Sequence, residues 1–162
     1  MVQETSGVDK EFILNMVYPV GTICLMVPAL AGVSIGLGKA SRGVCKAASV
    51  RNDIMLAIIP VGFIGVMILY AALIFFMGKR TEVPKDFQTC MAWFAGQVVT
   101  GFGLFWAATG LGDIVETATF TAAEQKKFLS SFFLLLVFGE FVGLFALIVG
   151  VLLTGSWKEK SS

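Results

Sequence analysis

Four long apolar stretches, separated by short polar segments, set the architecture of this chain. They run over Phe12–Gly38, Ile54–Gly78, Met91–Gly112 and Phe128–Gly155. About 20 apolar residues rising 1.5 Å each cross a hydrocarbon core about 30 Å thick. All four stretches reach that length, and in lipid a helix satisfies its own backbone polar groups. The pattern therefore predicts four transmembrane helices. Residues 12–78 make a first helical hairpin with spans 12–38 and 54–78, and residues 91–155 a second with spans 91–112 and 128–155. A leading segment 1–11, a connection 79–90 and a tail 156–162 complete the organisation.

The second hairpin repeats the first. Ile35-Gly36-Leu37-Gly38 corresponds to Thr109-Gly110-Leu111-Gly112 at an offset of 74, and the run Gly65–Ile74 corresponds to Glu140–Val149 at an offset of 75. In this register Gly65 falls where Glu140 falls, so one copy carries an acid and the other does not. The expected class is an all-α integral membrane protein made of two duplicated helical hairpins.

Composition agrees. Hydrophobic residues make up 57% of the chain and charged residues 14%, and the mean hydropathy is +0.86. A soluble domain draws about a quarter of its residues from the charged types, and this chain cannot supply such a shell. The net charge of +1 is spread thinly between spans and gives no nucleic-acid footprint. The absence of histidine removes the usual transition-metal ligand and neutral-pH base. Cys24, Cys45 and Cys90 form neither a zinc pattern nor a disulfide framework and read as small apolar fillers. Glu4, Asp9, Lys10 and Glu11 make an acidic flank before the first stretch, which reads as a mature span rather than a signal peptide.

Charge also bears on orientation. The first connection carries Lys39, Arg42, Lys46 and Arg51, against Lys10 alone in the preceding flank. Basic residues on the two sides otherwise balance, so this density places the first and third connections in the cytosol and both termini in the lumen. Trp93 and Trp157 read as interfacial anchors, and Asp113 and Glu116 as charges at the end of the third span.

Small residues form stripes. Ala29, Gly32, Gly36, Ala40, Gly43 and Ala47 recur every three or four positions in the first span, as do Gly96, Thr100, Gly103, Ala107 and Gly110 in the third. Such spacing puts each set on one helix face, and small residues let membrane helices approach closely. Gly32, Gly36, Gly43, Gly96, Gly103 and Gly110 are expected to pack the first and third helices into an inner layer. An ordinary four-helix bundle would use similar stripes. The first stripe continues past Lys39 to Ala47, so that helix is expected to project into the cytosol.

Glu140 is the residue with chemistry. It stands roughly 18 Å along the fourth helix from Phe128, near mid-bilayer. Leu136, Val137, Gly143 and Leu144, one turn away, cannot pair with a carboxylate. A charge there costs about 2.5–3.5 kcal/mol on insertion scales, so the neutral acid is the inexpensive state. A group that is neutral in lipid and ionises beside water or a cation carries protons; a carboxyl that only packs helices is the plainer alternative. Gly139 and Gly143 are expected to open space beside the acid. Sodium would need several converging oxygens, and the matching part of the second span, around Gly65, offers only Tyr70. Gln97, Thr100 and Thr109 are further oxygen donors that the sequence does not place beside Glu140.

Two runs resemble a known family. Arg51-Asn52-Asp53-Ile54-Met55, Ile58-Ile59-Pro60-Val61 and Tyr70 are similar to the second helix of the proteolipid c-subunits of V-type ATPases, 16 kDa class. Leu135–Val149, centred on Glu140, resembles their fourth helix, and Gly112-Asp113 the end of their third. The likeness covers roughly residues 20–155. It implies a ring of proteolipid copies and paralogues, with the first and third helices inside and the second and fourth outside. Glu140 would be the proton carrier and Tyr70 its support, with the proton as transported ion and no cofactor. The implied partners are a stator a-subunit with an essential arginine, central-stalk subunits on the cytosolic side, and lipid, but no nucleic acid. ATP hydrolysis elsewhere would turn the ring; this chain would have no catalytic site of its own. The implied location is a vacuolar or other acidic endomembrane compartment, with luminal termini. Phe102, Phe105 and Trp106 are bulkier than the family's third helix usually carries, and Phe145 stands where it often has tyrosine. The competing readings are a small four-helix proton-coupled transporter and a structural tetraspan pore protein.

Overall fold

The computed structural model describes residues 2–50, 55–79 and 87–155, and within them side chains over 11–50, 59–79, 87–125 and 127–154. The described residues form four helices: α1 (Val2–Val50), α2 (Met55–Gly78), α3 (Phe87–Glu124) and α4 (Leu129–Gly155), with a 3-10 turn at Lys126–Phe128 before α4. All four are long and apolar enough to cross a membrane. The tail 156–162 with Trp157, and Arg51, Asn52, Asp53, Arg80 and Lys85, lie outside the described residues.

Two helices are longer than the apolar pattern predicts. α1 has 49 residues and α3 has 38, about 74 and 57 Å at 1.5 Å per residue, well beyond a core of about 30 Å. α1 is helical from Val2, 39–50 is helix as the stripe running past Lys39 to Ala47 leads one to expect, and 113–124 is helix where a connection is expected. The cause lies in the residues that follow each span. Ala40, Gly43 and Ala47 on α1, and Val115, Ala118 and Ala122 on α3, fall at i, i+3 and i+7 and are buried. Each extension thus keeps an apolar face, and α1 and α3 cover each other along it. Asp113 and Glu116 are consequently mid-helix residues with partners. Lys39 Nζ lies 2.8 Å from Asp113 Oδ1, and Arg42 Nε and Nη2 each donate at 3.2 Å to the two carboxylate oxygens of Glu116.

α1 and α3 run parallel and nearly touch at the backbone. A β-carbon on Gly32 would stand 2.5 Å from Phe105 Cα, one on Gly43 2.5 Å from Glu116 Cα, and one on Gly112 2.6 Å from Gly36 Cα. Pro28 lies inside α1 and has no N–H to offer the Cys24 carbonyl one turn earlier. Gly101 of α3 packs against that carbonyl. Only glycine allows an approach of this kind.

The small-residue stripe of α3 serves a different neighbour from the one expected. Gly103 faces Ala146 of α4, and Gly96 faces Leu153 and Thr154 of α4. Gly110 faces open space. The contact with α1 is made by Gly101 and Gly112 in their place. Periodicity identifies a helix face but not its partner, and α3 packs against all three other helices.

The helices form two layers rather than a closed bundle. α1 and α3 lie side by side; α2 packs against both and also against α4; α4 packs against α3 and α2. Among the described residues α1 and α4 make no contact. Ile64, Met67, Leu104, Leu111, Phe132 and Leu136 are fully buried between the layers. Exposed leucines, phenylalanines and valines cover the outside of α2 and α4, as lipid requires.

Candidate functional site

Glu140 occupies the seam between α2 and α4. It is about 17 Å from the start of α4 at Leu129 and about 22 Å from its end at Gly155. The carboxyl is half-buried rather than fully enclosed. On α2, Tyr70 is half-buried too, and its hydroxyl donates to Glu140 Oε1 at 2.8 Å. The sequence around Glu140 offers no partner on its own helix; the partner comes from the other hairpin.

Two glycines on α4 near Glu140 sit in close contacts with α2 and α3. A β-carbon on Gly139 would stand 2.7 Å from Leu111 Cδ2, with Ile114 close behind. Gly143 packs against the Met67 sulfur of α2 and faces Ala107 of α3. The space beside the acid is therefore filled by α2 and α3 of the same chain. Flanked by these two close contacts, Glu140 on α4 reaches Tyr70 on α2. Gly65 does not join them. Among the described residues nothing lies within 4 Å of where its β-carbon would be.

The other polar candidates sit elsewhere. Thr100 donates to the Gly96 carbonyl and toward that of Ala146, and Thr109 to the Phe105 and Trp106 carbonyls. Gln97 is buried beside Trp93, near Gly78 at the end of α2. Trp93 is not an interfacial anchor. It is buried and stacks on Tyr18 with ring centroids 5.3 Å apart, and its indole N–H finds no partner among the described residues. Of the cysteines, Cys90 is buried and Cys24 half-buried, as fillers would be, but Cys45 is exposed on the α1 extension.

The arrangement defines a class: a polytopic membrane protein with a carboxyl at mid-span, held by a tyrosine hydroxyl in apolar surroundings. Comparison with known proteins names the family. The family model for the C subunit of ATP synthase matches residues 94–153, which hold α4 up to Leu153 and most of α3. The chain is 30% identical over 139 residues to the V-type proton ATPase proteolipid subunit of Dictyostelium discoideum, covering 83% of this chain and 70% of that protein. It is 26% identical over 141 residues to the V-type proton ATPase c-subunit of Candida tropicalis, covering 83% and 85%. It is 28% identical over 142 residues to the V-type proton ATPase 16 kDa proteolipid subunit of Chrysotila carterae, covering 83% and 87%. The chain belongs to the V-type proton ATPase proteolipid family.

Proposed function

We propose that this chain is a proton-carrying proteolipid of the rotary membrane ring of a V-type ATPase, with Glu140 as the carrier. The observation that carries the reading is the Tyr70–Glu140 hydrogen bond at mid-span. An ionised carboxyl facing lipid is costly, and a protonated one is not. Glu140 therefore holds its hydrogen while the α2–α4 face meets lipid and releases it where water and a cation receive it. The stator's arginine supplies that cation. The hydroxyl of Tyr70 fixes the carboxyl at one height, so that every passing copy presents its proton alike. Met67, Leu111 and Ile114, which pack on Gly139 and Gly143 beside the acid, carry no side-chain oxygen, which favours a proton over sodium.

The other roles follow from the same reading. The chain hydrolyses nothing; it moves while ATP is hydrolysed in the soluble sector. Its partners are further proteolipid copies and paralogues, the stator a-subunit and the central stalk. The joint extension of α1 and α3 beyond the membrane supports a cytosolic rim on which the stalk rests. That orientation leaves both termini in the lumen of a vacuolar or other acidic compartment. Treating membranes that contain the assembled pump with a hydrophobic carbodiimide tests the reading. Selective labelling of Glu140 with parallel loss of ATP-driven acidification is expected; acidification that persists after complete labelling overturns it.

A further inference from the structure

The exposed apolar surfaces of the two layers stand at different heights. On α4 the exposed residues are apolar from Leu134 to Leu152, and on α2 the exposed side chains are apolar from Ile59 to Met77. Ser131 and Lys79 are exposed just outside these runs. The exposed stripe of α1 is apolar at Phe12, Met16, Val20, Ile23, Val27 and Leu30, then turns polar at Ser34 and Ser41. On α3 the exposed Phe87, Met91, Val99, Phe102 and Trp106 give way in the same manner to Asp113 and Thr117. Each run covers about 27–29 Å at 1.5 Å per residue, close to a hydrocarbon core of about 30 Å.

Helix contacts fix how the runs align. Gly139 of α4 faces Leu111 of α3, Gly143 faces Ala107, and Leu153 faces Gly96. The middle of the α4 run, at Gly143, is thus level with Ala107. The middle of the α3 run lies near Gln97, ten residues away and about 15 Å closer to the luminal end. α1 agrees, because the middle of its run is Gly21, which packs on Trp93 and Phe94. The inner and outer surfaces match in thickness and are staggered by about half of it.

Two residues stand where the stagger requires them. Trp106 is 68% exposed and lies beside Ala107, at the mid-height of the outer run. On the inner face, however, it ends the apolar run, and tryptophan is enriched where a membrane meets water. Asp113 is 61% exposed and lies two residues past Leu111, level with the apolar part of α4. Its pair with Lys39 needs water on the open side, because charge facing hydrocarbon is costly.

Resting on the ring reading above, with α1 and α3 inside, we infer that these inner faces hold a phospholipid bilayer patch of their own. Its midplane lies about 15 Å nearer the lumen than that of the surrounding membrane. Trp106 anchors at its cytosolic headgroup level. On the cytosolic side of that level, Ser34, Ser41 and the Lys39–Asp113 pair line a water-filled well that descends to the height of Glu140. Length selects lipid over a protein plug: the runs on α1 and α3 both match a hydrocarbon core, and a plug would require no such match. Asp113 excludes one flat membrane shared by both faces, since its charge would then meet acyl chains.

The test is thiol accessibility in the assembled pump, in sealed vesicles with the cytosolic face outward. The probe is a small anionic methanethiosulfonate that does not cross membranes. The full chain carries Cys24→Ala, Cys45→Ala and Cys90→Ala with one of Ser34→Cys, Val27→Cys or Phe141→Cys. A chain that keeps Cys45 alone sets the rate for the exposed cytosolic extension. Ser34→Cys is expected to react as fast as Cys45, with Val27→Cys and Phe141→Cys unmodified, although Phe141 stands at nearly the height of Ser34. An unreactive Ser34→Cys beside a reactive Cys45 overturns the well. A reactive Val27→Cys overturns the lipid patch, and a reactive Phe141→Cys overturns the stagger. Native mass measurement of the wild-type assembly separates this from the ring reading. A ring that retains phospholipid after detergent extraction is expected, and a ring that retains none overturns the patch alone. A monomeric wild type overturns the ring reading itself.

Discussion

Tyr70 on α2 donates its phenolic hydrogen to Glu140 on α4 across 2.8 Å, although 70 positions separate them in the chain. Each belongs to a different copy of the duplicated hairpin. The copies differ in a complementary way: the first carries the hydroxyl and has Gly65 at the position equivalent to the acid, and the second carries the acid and has Phe145 at the position equivalent to the hydroxyl. One chain therefore presents one carboxyl, and the support that carboxyl needs comes from the other hairpin.

Replacing the acid isolates its chemistry from its packing. Glu140→Gln keeps the shape and a hydrogen-bond acceptor for Tyr70 but cannot exchange a proton. ATP-driven acidification by vesicles containing the assembled pump is expected to fall to background, with the amount of assembled proteolipid unchanged on native gels.

Tyr70→Phe removes one hydroxyl and little else. A neutral hydrogen bond contributes about 0.5–1.5 kcal/mol net, and a factor of ten corresponds to about 1.4 kcal/mol. The initial acidification rate is expected to drop roughly two- to tenfold rather than vanish. An unchanged rate would mean that the hydroxyl does not position the carboxyl in the working pump.

Glycines at the α1–α3 contact and glycines facing open space are expected to behave oppositely. Gly32→Leu and Gly101→Val push side chains into the backbone of the facing helix, and overpacking costs about 1–3 kcal/mol or more. Both should lower the melting temperature in detergent and the yield of folded protein. Gly65→Ala enters open space and should leave both within error.

Trp93→Phe probes a buried group that lacks a partner. The indole N–H of Trp93 has no hydrogen-bond partner among the described residues, so its removal loses none of those bonds, and relief of an unpaired donor offsets the lost volume. Phenylalanine can still stack on Tyr18. Stability by detergent melting is expected to stay within about 1 kcal/mol of the native chain.

How much of this was legible in the sequence depends on the kind of information each feature needed. Four spans, the duplication, the acid at mid-span and the projection of α1 are one-dimensional properties, set by run length, offset and spacing. The continuation of α3 to Glu124 was hidden because Asp113 and Glu116 look like the charges that end a span. Val115, Ala118 and Ala122 carry the helix past them by keeping a buried face, and Lys39 and Arg42, 74 positions away, pair with the two acids. Trp93 misled for a similar reason: a tryptophan near a span end reads as an anchor until Tyr18 and Gly78 are seen to enclose it.

By itself the sequence determined the solvent, the number of crossings and the one carboxyl inside them, because burying charge and leaving backbone unpaired are costly in lipid whatever the neighbours. The tertiary structure alone decided partners: that Gly101 and Gly112 rather than Gly96, Gly103 and Gly110 meet α1, and that Gly65 stands apart from the acid. Helical periodicity fixes which residues share a face, but which helix that face meets depends on how all four pack at once.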